Sequence, residues 1–207
     1  MGKKTTKIQI APPVDEQGVE VVKSPIQIMS AALKDEFCNY TYDHLVAPNT
    51  TNTVNIKSSV LVHDDLKKAF ARLNVHLAVI CEEIDPLDVL DIEDIAEYDS
   101  SMHNEESMEF KVSRFTVTSF KIDGTGENEG VTLAGHKRLK TGDYLKLDTP
   151  KTKWINDYPF INELRVVIDD LRAEVDKYMH GKAAPRWIQP ELDMPEDGQE
   201  EDLSLAI

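Results

Sequence analysis

The stretch FKVSRFTVTSFKIDGTGENEGVTLAGHKRLKTGDYLKL (residues 110–147) decides the fold. Three runs within it, Phe110 to Ile122, Gly130 to Leu139 and Tyr144 to Leu147, are rich in β-branched and aromatic residues. Asp123-Gly124-Thr125-Gly126 and Thr141-Gly142-Asp143 separate them with residues that favour tight turns, so the stretch reads as three antiparallel strands. The glycines do not make a phosphate loop. Such a loop leads from a strand into a helix, whereas Val131-Thr132-Leu133-Ala134 continues as strand and no GK[ST] follows.

A helix comes next. Phe160, Leu164, Val167, Ile168, Leu171, Val175 and Tyr178 recur at spacings of three and four, with Asp157 and Pro159 before them and Gly181 and Pro185 after. The first half repeats the order. Ile26 to Leu33, Asp35 to Val46 and Thr53 to Leu61 read as strands, with a turn at Ala47-Pro48-Asn49. A second apolar stripe follows them: Leu66, Ala69, Phe70, Leu73, Leu77, Ile80 and Ile84, on a helix that Asp64 or Asp65 would cap. The expected class is α+β: two βββα units, antiparallel sheets each followed by a helix, pseudo-symmetric, with a disordered acidic C-terminal tail. The layout is a polar leader (1–24), unit 1 (25–85), an acidic linker (86–108), unit 2 (109–184) and an acidic tail (185–207). A single α+β domain that lists its elements in this order is the alternative.

Charge is distributed in blocks. The formal net charge is −15, yet residues 82–109 hold twelve carboxylates and residues 191–207 hold seven, neither with any Lys or Arg. The remaining nineteen acids face all twenty-three basic residues, which leaves that part at +4 and able to meet an anion. The acidic linker is threaded with Leu87, Val89, Leu90, Ile92 and Ile95, a pattern suited to docking. No apolar stretch approaches the roughly 20 residues that span a bilayer, and neither cysteine, Cys38 or Cys81, sits in a CxxC. A cytoplasmic protein of a bacterial host cell with two buried thiols is the expectation.

Catalytic patterns are lacking. His63-Asp64-Asp65 holds potential metal ligands, but helix capping accounts for them, and neither HExxH nor GxSxG occurs. No enzyme activity, cofactor or metal is expected. The most basic stretch interleaves Lys137, Arg138, Lys140, Lys146, Lys151 and Lys153 with Tyr144 and Trp154. Cations along a backbone and aromatics under bases are what single-stranded nucleic acid requires. A solvated hairpin protected by its lysines is the competing reading.

The chain ends Pro195-Glu196-Asp197-Gly198-Gln199-Glu200-Glu201-Asp202-Leu203-Ser204-Leu205-Ala206-Ile207, an acidic run with an apolar tip. This order resembles the C-terminal tails of bacterial and phage single-stranded-DNA-binding proteins, although the tip ends in Ile207 rather than the usual Phe. The resemblance implies a partner-binding tail in which Leu203, Leu205 and Ile207 enter a pocket while Glu200, Glu201 and Asp202 meet its rim. Residues 110–149 and the Asp64-Asp65-Leu66-Lys67-Lys68-Ala69-Phe70 helix start look like uncharacterised phage and prophage proteins. The βββα order is similar to single-strand annealing cores. Two functions follow as expectations. One is a non-enzymatic single-stranded-DNA-binding or annealing accessory protein of phage-like replication or recombination, in partnership with proteins bound by its tail and able to form homo-oligomers. The other is an acidic protein-binding adaptor, inhibitor (DNA mimic) or virion component.

Overall fold

Strand alternation puts the apolar residues of both halves on one face of one sheet. The computed structural model describes residues 26–185, apart from residues 48, 49, 90, 96, 156 and 157. Its strands are β1 (Ile26–Lys34), β2 (Phe37–Ala47), β3 (Thr50–Ile56), β4 (Phe115–Asp123), β5 (Gly130–Arg138), β6 (Tyr144–Asp148) and the short β7 (Thr152–Lys153). The order is β3-β2-β1-β4-β5-β6, every pairing is antiparallel, and β7 pairs with β5 beyond β6. The architecture is therefore α+β, with a single sheet rather than separate ones. The halves join where Ser30, Ala31 and Ala32 of β1 oppose Lys121, Phe120 and Ser119 of β4.

The helices are α1 (Asp64–Ala71), α2 (Asn74–Ile80), α3 (Met108–Ser113) and α4 (Ile161–Met179). Ile28, Ala31, Phe115, Val117, Phe120, Ile122, Val131 and Leu133 of the sheet are buried together with Leu66, Phe70, Leu77, Leu164, Ile168 and Leu171 of the helices. The anticipated stripe of α4 is buried at Leu164, Val167, Ile168, Leu171, Val175 and Tyr178. Gly181 ends the helix with φ +101°, in the left-handed region where a Cβ is costly. Tyr178 ties that end back to the segment after β3, donating to Ser58 Oγ at 2.8 Å.

Several boundaries differ from the sequence reading. The helix expected over Asp64 to Ile84 is two helices, broken at Arg72 and Leu73 so that Asn74 Oδ1 accepts the Val117 amide at 2.8 Å. The break satisfies a strand amide beside the irregular register between Val117 and Ser119. Neither Asp64 nor Asp65 is the cap. His63 is, with Nδ1 accepting from the Asp65 amide at 3.2 Å, while the two acids fill the first turn. Phe110, Lys111 and Val112 are helical rather than strand, because Ser107 caps α3 by accepting from the Phe110 amide at 3.2 Å. β3 begins earlier than Thr53 and stops before Leu61, which makes only an isolated bridge to Phe37. Cys38 is buried but Cys81 is exposed, and both thiols are free.

The acidic stretch 82–109 packs against the body of the fold. Ile84, Val89 and Ile92 are buried in the common core and Ile95 packs against it, whereas Leu87 is 90% exposed. Its acids also shape the backbone: Asp85, Asp91 and Asp99 accept from the amides of Leu87, Glu93 and Ser101 at 2.8–3.0 Å. The expected polar leader, the tail residues Glu200, Glu201, Asp202, Leu203, Leu205 and Ile207, and Leu90 of the linker lie outside the described residues.

Candidate nucleic-acid interface

The period-two alternation of β5 and β6 separates the basic stretch into two faces. Val131 and Leu133 point into the core, and so does Lys137, whose ammonium lies 5.2 Å from the ring centroid of buried Phe115. His136 and Arg138 therefore point to the opposite face, which no helix among the described residues covers. Register carries the same face onto β6, since His136 opposes Lys146 and Arg138 opposes Tyr144. The His136 and Tyr144 rings meet edge to face at 4.9 Å. Lys153 shares this parity through its pairing with Gly130, and its Nζ donates to Asn128 Oδ1 at 3.0 Å.

The open face thus brings together Arg138, Tyr144, Lys146 and Lys153 of the eight anticipated residues, and adds His136. Tyr144 is 65% exposed. Lys146 pairs with Asp148 at 3.2 Å in an exposed contact that an incoming phosphate can replace, and Arg138 makes no ion pair among the described residues. Toward the β1–β4 seam this face presents the short, half-buried Ser30, Ala32, Ser119, Thr132 and Ala134, with the exposed pair of Lys121 and Asp123, 3.7 Å apart, beside them.

Four of the eight lie elsewhere. Lys137 pairs with Glu83, and Arg114 approaches the same carboxylate at 3.8 Å. Lys140, in the β5–β6 turn, pairs with Glu105 at 3.2 Å. Trp154 packs partly buried against the core with the Arg165 guanidinium 5.2 Å from its ring, and its amide donates to the Glu129 carbonyl at 3.1 Å. Lys151 is exposed in the connection between β6 and β7. Glu83 and Glu105 of the acidic stretch 82–109 thus hold Lys137 and Lys140, and no carboxylate of that stretch pairs with an open-face cation among the described residues. His136 is the functional candidate that the run of cations obscured; its spacing of two from Arg138 was the available signal.

On the helix side, His76 is 1% exposed and its Nδ1 lies 2.9 Å from the Tyr158 hydroxyl. Burial, with the charge of Arg72 added, pushes the His76 pKa down to about 4, so the imidazole is neutral. Burial likewise raises the Tyr158 pKa and keeps its hydroxyl protonated. His76 backs a cleft of about 610 Å³ between α1, α2, α3 and the acidic linker. Among the described residues, no group of three or more His, Cys, Asp or Glu side chains is placed to hold a metal ion, and no helix is long and apolar enough to cross a membrane. Comparison with protein-family models, with curated proteins and with solved structures finds no match for this chain.

Proposed function

We propose that the chain is a non-enzymatic single-stranded-DNA-binding or annealing accessory protein of phage-like replication or recombination. It holds the strand on the open face of its sheet. The observation that carries this reading is the patch formed by His136, Arg138, Tyr144 and Lys146: two cross-strand pairs that set cations beside an exposed ring, on the face turned away from the acidic linker. An exposed ring accepts a base of any sequence, and the neighbouring cations meet the phosphates on either side of it. The short side chains toward the β1–β4 seam let a flexible strand lie close to the sheet. Titrating a labelled unstructured oligonucleotide at rising salt tests the reading, because each neutralised phosphate releases counterions and makes affinity fall with ionic strength. Affinity independent of salt, or no binding at low salt, would sink it.

On this reading the two βββα units arose by duplication. Supporting it, each three-stranded meander is followed by helices on the same side of the sheet, and the meanders meet antiparallel at β1 and β4, as an approximate two-fold through that seam requires. The acidic tail then serves as the docking peptide for replication or repair proteins through Leu203, Leu205 and Ile207, in the cytoplasm of a bacterial host. The adaptor reading draws on a different observation. Of the twelve carboxylates in residues 82–109, only Glu83, Glu93 and Glu105 form ion pairs with Lys or Arg among the described residues. That acidic surface suits a basic protein partner.

A further inference from the structure

The 610 Å³ cleft on the helix side has an apolar floor and an acidic rim, and nothing in the open-face reading uses it. Val75 of α2, Ile92 of the linker, Val112 of α3 and Val167 of α4 line the floor. On the rim, Arg72 is already held by Asp170 at 2.6 Å and by Glu93 at 3.3 Å. Glu97 and Glu109 make no ion pair among the described residues, and they outnumber the single unpaired lysine of the rim, Lys68. Residues 82–109 as a whole carry twelve carboxylates and no Lys or Arg. An occupant should therefore carry apolar side chains toward the floor and positive charge toward the linker.

The chain contains such a segment. Residues 3–10 read Lys-Lys-Thr-Thr-Lys-Ile-Gln-Ile, three lysines followed by two isoleucines two apart, with no acid. In an extended backbone Ile8 and Ile10 share one side and Lys7 takes the other. The fifteen residues between Ile10 and Ile26 span at most about 50 Å, so residues 3–10 can reach much of the surface of a 160-residue body roughly 40 Å across. Tethering also supplies a high effective concentration, so modest contacts suffice. We infer that residues 3–10 dock in this cleft of their own chain, with Ile8 and Ile10 on the Val75, Ile92, Val112 and Val167 floor and Lys3, Lys4 or Lys7 against Glu97 and Glu109.

Zero-length carbodiimide coupling of the full chain, read by peptide mass spectrometry, tests this directly. A sample mixing ¹⁵N-labelled with unlabelled protein separates links within one chain from links between two. Docking predicts amide links from Lys3, Lys4 or Lys7 to Glu97 or Glu109 within a single chain, with yields that fall roughly tenfold in the Ile8→Asp/Ile10→Asp variant, since the apolar contacts supply most of the affinity. The urea unfolding midpoint of that variant is measured alongside, and an unchanged midpoint shows that loss of the links does not report unfolding. The inference is overturned by links spread without preference over the carboxylates of residues 82–109, by yields that the double substitution leaves unchanged, or by links found only between chains.

Discussion

The Tyr158 hydroxyl and the His76 imidazole meet at 2.9 Å in the interior, and burial keeps both groups uncharged. Folded His76 titrates near pH 4, whereas an unfolded histidine titrates near 6.5. Above pH 6.5 neither state is protonated and no stability is lost. Between 6.5 and 4 the unfolded chain binds the proton first, so stability falls with pH by roughly 3 kcal/mol in all. Urea unfolding at pH 7.0, 6.0 and 5.0 should show this decline in the wild type. His76→Gln, which cannot titrate, should be less stable at pH 7.0 but flat over the same range; an equal slope in both proteins would place the titration elsewhere.

Anchoring of the acidic linker separates two of its apolar residues. Ile92 is 2% exposed and Leu87 is 90% exposed. Ile92→Ala should cost about 2–4 kcal/mol by leaving a cavity, and Leu87→Ser should stay within about 0.5 kcal/mol of the wild type. Chemical denaturation of both variants checks the pair of values. Equal small effects would mean that the linker does not need its apolar contacts.

Glu83 serves two cations that are themselves mostly covered, Lys137 and Arg114. Glu83→Gln should cost about 1–3 kcal/mol, because two positive charges then face each other without their shared carboxylate. Adding Lys137→Met should restore part of the loss, which a double-mutant cycle measures directly. Additive losses would show that the pair is not coupled.

What the sequence made legible follows from where local and tertiary forces agree. β5 and β6 were readable because their alternation and the turn residues around Gly142 point the same way. α4 was readable because its stripe is interrupted by no competing partner and Gly181 supplies the left-handed stop. The break between α1 and α2 was not, since Leu66 to Ile84 keep helical spacing throughout. Only the distant Val117 amide explains why Asn74 leaves the first helix. Phe110, Lys111 and Val112 fit a strand as well as a helix, and one hydrogen bond from the Phe110 amide to Ser107 Oγ decides between them. For the candidate interface, the cations were visible as a run, but their division between two faces depends on register, which fixes Lys137 toward Glu83 and Lys146 toward the open side. Trp154 looked available for stacking because nothing local shows that Arg165, from α4, covers it.

Trp154 and Tyr144 should consequently behave in opposite ways. Trp154→Ala should lower the unfolding midpoint by removing a ring packed against the core, at a cost of about 2–4 kcal/mol. Tyr144→Ala should leave the midpoint within about 0.5 kcal/mol of the wild type and weaken oligonucleotide binding by about 1–3 kcal/mol. Thermal unfolding and binding measured on the same samples separate the two roles. A Tyr144→Ala protein that binds like the wild type has no stacking ring at that position.

The most direct measurement is fluorescence anisotropy of a labelled oligothymidylate, titrated at several salt concentrations. It compares the wild type, an Arg138→Ala/Tyr144→Ala/Lys146→Ala variant of the open face, and a Lys68→Ala/Lys111→Ala variant that removes two cations from the helix side. Binding on the open sheet predicts that the open-face variant loses most of its affinity and that its log–log salt slope becomes shallower by about 1.4, the share of two phosphates on a single strand. The helix-side variant should keep the wild-type slope. Equal losses in the two variants, or an open-face variant that binds like the wild type, would contradict the assignment of this face to nucleic acid.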